Sequence, residues 1–103
     1  MAIPTLSPEQ LHAARSAATM ARRARADFKS RLRTGELTLT EALELAGAND
    51  VLAHMRVYDL LRSLPRVGDK RAASIMERLD IAANRRVRGL GRHQLAGLKS
   101  EFR

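Results

Sequence analysis

Apolar residues recur at three- and four-residue steps through most of this chain, the period of helices packed on one face. Leu11, Ala14, Ala18, Ala21, Phe28 and Leu32 fall on one stripe of a long first helix. Its start is marked by Ser7-Pro8-Glu9-Gln10: Ser7 caps, Pro8 takes the first helical position, and Gln10 stands where a capping box needs it. The pattern runs without Pro or Gly to Thr34-Gly35, and Gly35 suits the helix end. The alanine-rich half can bury little, because alanine supplies propensity but not packing; a shorter helix with a frayed N-terminal half is the alternative.

Short helices are predicted next. Thr38-Leu39-Thr40-Glu41 is a second capping box, opening a helix over about residues 39–46 that ends at Gly47. Asn49 can cap another, with Val51, Leu52 and Met55 on its buried side. Arg56 to Ser63 follows, packing Val57, Leu60 and Leu61, and Pro65 stops it because the residue before a proline disfavours helical geometry. Asp69 to Leu79 turns Ala72, Ala73, Ile75, Met76 and Leu79 inward, and Asn84 can cap the turn after it. A last helix, from about Arg92 to Phe102, buries Leu95, Leu98 and Phe102. No segment alternates as a strand would. The expected fold is all-α, in a single domain of residues 1–103: a long basic helix over 1–34, then a compact bundle of short helices over 35–103, with the first few residues loose.

Charge changes the picture. The net charge is +8 and the pI about 11.4, with arginine supplying most of the positive charge. Guanidinium groups contact phosphate bidentately, which ammonium groups cannot do. The charge is also segregated: residues 12–33 hold seven basic and one acidic residue, 34–61 one basic and five acidic, and 62–103 eleven basic and four acidic. Two basic zones flanking an acidic middle are what a polarised binding face produces. Aromatics make up only 3%, which argues against base-stacking platforms for single strands. There are no cysteines, so a disulfide scaffold and a thiolate zinc site are excluded. No secretory signal pattern and no run of about 20 apolar residues occurs, so a soluble cytoplasmic protein without membrane contact is expected.

Two glycine-bearing turns carry the candidate chemistry. In Leu64-Pro65-Arg66-Val67-Gly68-Asp69-Lys70-Arg71 a proline-started turn opens a helix, whose exposed N–H groups and dipole suit phosphate oxygens. This hairpin resembles the helix-hairpin-helix element of many DNA-binding proteins, which commonly carries glycine on both sides of an apolar residue. Here Gly68 holds the second place and Arg66 replaces the first. Val67, Gly68, Asp69 and Lys70 would present N–H groups, and Lys70 and Arg71 would add charge. In Arg85-Arg86-Val87-Arg88-Gly89-Leu90-Gly91, Leu90 anchors the turn while the arginines face water or a polyanion, since buried unpaired guanidinium is too costly. On the first helix Arg15, Arg22, Lys29 and Arg33 line a neighbouring stripe, either a solvated face or a second contact zone. His12, His54 and His93 lack close metal-ligand spacing and are read as surface or packing residues. No nucleophile-elbow, Walker or zincin motif occurs, and no catalytic residue, metal or cofactor is expected.

Taken together, Leu60 through Gly68, Ile75 through Leu79 and Arg85 through Gly91, with Ala21 through Ala26 and Val51 through Met55, are similar to the actinobacterial integration host factor family. The resemblance covers nearly the whole chain. It implies an all-helical protein with a helix-two-turns-helix core that is nucleoid-associated, binds double-stranded DNA with little sequence preference, and bends or compacts it. A role beside a phage integrase is implied as well. The family's triple arginine falls on Arg85, Arg86 and Arg88, followed by Gly89, and its hairpin on Pro65 to Lys70. The expected protein is a non-enzymatic monomer. RNA binding is the alternative, since a related element occurs in a ribosomal small-subunit protein. A base-excision module would need a base pocket and a catalytic Asp or Lys, for which no candidate stands out. A protein-interaction domain would use the acidic middle.

Overall fold

The computed structural model describes residues 5–102. The looseness expected of the first few residues lies outside them. The described residues form six helices in order: α1 Pro8–Arg33, α2 Leu39–Gly47, α3 Asp50–Ala53, α4 Val57–Arg62, α5 Asp69–Arg78 and α6 Arg92–Glu101. A single 3₁₀ turn, Val87–Gly89, precedes α6. The chemistry that starts α1 and α2 is reciprocal capping. The Gln10 N–H donates to Ser7 Oγ at 3.1 Å and the Ser7 N–H to Gln10 Oε1 at 2.8 Å. Thr38 and Glu41 repeat the arrangement at 3.2 and 3.1 Å. Asn49 caps α3 by accepting from the Leu52 N–H.

Beyond the last residue of α1 and the Thr34 cap comes Gly35, whose φ of 83° is a left-handed conformation that costs glycine little. The reversal turns Leu37 into the core, and an Arg31–Glu36 ion pair at 2.5 Å spans it from outside. Phe28 and Leu32 bring α1 into one core with Leu39 and Leu43 of α2, Leu52 and Met55, Val57, Leu60 and Leu61 of α4, Ile75 of α5 and Leu98 of α6. Each such side chain contributes about 1.5–3 kcal/mol by leaving water. Gly97 lets α6 lie close against Leu79, since a Cβ there would sit 2.6 Å from Leu79 Cδ2.

Three expectations need correction. The stripe on α1 is helical, but only Phe28 and Leu32 of it are buried; Leu11 is 38% exposed and Ala14 and Ala18 are exposed. The first half of α1 projects beyond α2 and α3, the helices it packs on, so its apolar face meets water. Ala73 is exposed, because the inward row of α5 runs through Ala72, Ile75 and Met76. Asn84 does not cap the next turn: that turn starts at Val87, with Arg86 in the cap position. No strand forms among the described residues, but one isolated antiparallel bridge pairs Arg56 with Arg86. Its bonds run from the Val57 N–H to Arg85 O and from the Val87 N–H to Met55 O, both at 2.9 Å.

Candidate nucleic-acid interface

That bridge fixes the second arginine-bearing turn. Val57 and Val87 flank the paired residues and are both buried, so the backbone from Arg85 to Val87 is held by hydrogen bonds and packing. Arg85, Arg86 and Arg88 are all exposed, and each is anchored through one nitrogen. Arg85 Nη1 donates to Gly89 O at 3.0 Å and curls over that glycine, where a Cβ would stand 3.1 Å from Arg85 Cδ. Arg86 Nη1 donates to His54 O at 2.6 Å. Arg88 Nη1 lies 3.0 Å from His54 Nε2. A guanidinium has five N–H donors, so every one of these groups keeps donors for an outside anion. Anchoring also removes part of the roughly 2 kcal/mol of rotamer entropy that a free arginine loses on binding.

His54 is the residue the sequence reading undervalued. A guanidinium cannot accept a hydrogen bond, so His54 Nε2 accepts from Arg88 and the ring proton sits on Nδ1. Nδ1–H then donates to Asp50 O at 2.6 Å. His54, at the end of α3, therefore orients two of the three arginines, Arg88 by its ring and Arg86 by its backbone carbonyl. Spacing gave no sign of this, since His54 and Arg88 stand 34 positions apart.

The hairpin is arranged differently from its sequence reading. Arg66, in the place of the missing glycine, adopts φ 67°, the left-handed region that glycine favours. Gly68 has φ −95°, and a Cβ there would meet nothing within 4 Å. It starts α5 with no side-chain cap, leaving an open backbone edge. Val67 differs from expectation. Its side chain is buried and its N–H donates to Leu64 O at 3.3 Å, so it anchors the hairpin and offers no donor outward. Asp69 accepts from Tyr58 Oη at 2.5 Å and pairs with Arg62, tying α5 to α4 and neutralising the carboxylate at the hairpin. That hydrogen bond, chiefly, raises the Tyr58 phenol above its ordinary value. Arg66 and Lys70 are exposed, while Arg71 stacks over the Phe102 ring at 5.4 Å.

Three ion pairs join described residues: Arg31–Glu36, Arg62–Asp69 and Arg78–Glu101. None involves Arg85, Arg86, Arg88, Arg66 or Lys70, so among the described residues these cations are not neutralised by the chain's own carboxylates. On α1, Arg15 and Arg22 are exposed and Lys29 is half-buried near Arg86, while Arg33 is exposed at the helix end. The two turns lie at opposite ends of α4, whose six residues span about 9 Å. No group of three or more His, Cys, Asp or Glu that could hold a metal occurs among the described residues, and no helix is long and apolar enough to cross a membrane.

Helices around two glycine-bearing turns, with anchored arginines on one and an uncapped helix on the other, define a helix-two-turns-helix module. Residues 32–102 match the S13-like H2TH domain family. The chain is 51% identical over 102 residues to the integration host factor of Streptomyces coelicolor, covering 99% of this chain and 95% of that protein. It is 47% identical to the integration host factor of Mycobacterium tuberculosis and 46% to that of Mycolicibacterium smegmatis, covering 99% of this chain and 97% of each relative. The solved structure of sIHF bound to an 8-base-pair palindromic DNA superposes with a TM-score of 0.82 at 49% identity, covering 85% of this chain and 99% of that one. The chain belongs to the actinobacterial integration host factor family.

Proposed function

We propose that this protein binds double-stranded DNA with little sequence preference and acts as an architectural protein of the nucleoid, bending or compacting the duplex. The observation that carries this reading is the state of Arg85, Arg86 and Arg88: oriented by the backbone and His54, exposed, and outside the ion pairs of the described residues. Arg66, Lys70 and the backbone at Gly68 form a second phosphate contact, and Gly89 and Val67 support the two turns. Arg71 adds field strength while held on Phe102. At least about 9 Å separates the turns along α4. This is the scale of DNA grooves, about 6 Å wide for the minor and 12 Å for the major. Contacts to phosphates on two sides of a groove reward deformation of the duplex without reading bases. Arg15, Arg22 and Lys29 extend the contact along α1. The protein acts as a monomer in the cytoplasm and needs no catalytic group, metal or cofactor; help to a phage integrase would follow from bending its site.

Fluorescence titration against unrelated duplexes at several salt concentrations tests this. Each neutralised phosphate lowers the slope of log K on log salt by about 0.9, so a contact of four or more phosphates gives a slope of about −3.6 or steeper. Affinities within a few-fold across sequences are expected, with changed end-to-end transfer efficiency in a doubly labelled duplex. A flat salt response, or preference for structured RNA over duplex DNA at equal salt, would overturn the reading. The DNA-bound neighbour supports DNA over RNA as the ligand.

A further inference from the structure

Between α1 and the Arg56–Arg86 bridge lies a recess of about 330 Å³. Arg25 and Lys29 of α1, Arg56 and Arg86 of the bridge, His54 and Asp59 line it. Four cations therefore face one carboxylate. None of the four belongs to an ion pair among the described residues, and neither does Asp59. Arg25 and Lys29 are half-buried. Desolvating cations beside one another is unfavourable twice over, through lost hydration and through mutual repulsion. Among the described residues Asp59 is the one carboxylate in the recess and offsets only part of that cost, whereas an added anion would offset more of it. A guanidinium and an ammonium on the α1 wall facing two guanidinium groups on the bridge suit the oxygens of a phosphate group.

The source of the phosphate follows from what the recess adjoins. Arg86 lines the recess and also belongs to the arginine-bearing turn. On the other side Lys29 continues, at seven-residue steps, into exposed Arg22 and Arg15, a row about 21 Å long. The recess is thus where the two basic zones meet. We infer that it is a phosphodiester site taking a backbone phosphate of the duplex held by Arg85, Arg86 and Arg88, so that α1 and the turn form one continuous track. Arg25 and Arg56 join the binding residues on this account, and Asp59 opposes binding. The inference rests on the DNA-binding reading above.

Anisotropy titrations of the full chain with a short duplex test it, with circular dichroism reporting the fold. The Arg25→Ala/Lys29→Ala variant should bind about tenfold more weakly and lose about 0.9 from the salt slope, one phosphate's worth. Asp59→Asn should bind about two- to threefold more tightly at low salt, as removal of one charge roughly 7–10 Å away in water predicts. If the double variant loses helicity, the Asp59→Asn result decides alone, and unchanged affinity there overturns the inference. If Arg85→Ala/Arg88→Ala weakens binding while the recess variants bind like the parent, the inference fails and the DNA-binding site stands. If neither set changes affinity, the site itself has been misplaced. Pyrophosphate is the free-anion probe: if it shifts the amide resonances of Lys29 and Arg56 while the double variant keeps the parent's salt slope, the ligand is a free anion and the duplex assignment is overturned.

Discussion

Arg66 permits backbone and charge to be separated at one position. Its φ of 67° is left-handed, and that conformation costs an L-residue roughly 1–2 kcal/mol. Glycine adopts it freely but loses more freedom on folding, by about 0.5–1 kcal/mol. Arg66→Gly should therefore stabilise the protein by about 0.5–1 kcal/mol. For a domain of this size 1 kcal/mol moves the melting midpoint by about 4–8 °C, so a rise of about 2–8 °C is expected. Arg66→Ala keeps the left-handed strain and should melt close to the parent. Both variants remove an exposed guanidinium outside the ion pairs of the described residues. Both should weaken duplex binding and reduce the salt slope by up to about 0.9. Scanning calorimetry and salt-dependent anisotropy on the three proteins give both readouts. Equal midpoints for the glycine and alanine variants would refute the strain argument. A parent-like salt slope in both would refute the phosphate role of the hairpin.

Further outcomes follow from the same geometry. His54→Ala should weaken DNA binding about three- to tenfold, because Arg88 loses its anchor and regains part of roughly 2 kcal/mol of rotamer entropy; parent-like affinity would show that the anchor is dispensable. Leu98→Ala, at a fully buried position, should cost about 2–5 kcal/mol in chemical denaturation, and less than 1 kcal/mol would mean that α6 is not part of the cooperative core. Glu101 is held below its ordinary value of 4.5, chiefly by its hydrogen bonds from Arg78. A carboxyl depressed in the folded state contributes stability above its unfolded pKa, and the contribution disappears as pH falls through the folded value. The melting midpoint should thus drop on acidification below about 4.5, less so in Glu101→Gln; identical pH profiles would remove Glu101 from the acid-sensitive set.

Helix starts were the most legible part of the chain, because capping is local chemistry. Ser7 with Gln10, Thr38 with Glu41, and Asn49 each bond within three residues, and the structure has all three. The core positions of α4 and the end of α1 followed from periodicity for the same reason. The first half of α1 misled because a stripe on a helix says where apolar groups point and not whether anything lies there; Leu11 meets water. The least legible feature was the bridge between Met55–Val57 and Arg85–Val87. It is too short to alternate, and its partners are about 30 positions apart. With it went the role of His54, the anchoring of three arginines and the recess beside Arg25 and Lys29, all products of long-range contact. Composition could announce excess positive charge, but only the fold shows which cations are paired internally and which are not.

The central claim is that Arg85, Arg86 and Arg88, held by the bridge and His54, grip the phosphates of a duplex. The most direct measurement is the salt slope of duplex binding for the parent and for the Arg85→Ala/Arg86→Ala/Arg88→Ala variant, with helicity and melting midpoint recorded for both. All three side chains are exposed, so the fold should persist within about 1 kcal/mol. Affinity at low salt should fall at least a hundredfold, with about 2–3 units lost from the slope. A folded variant that keeps the parent's affinity and slope would contradict the account.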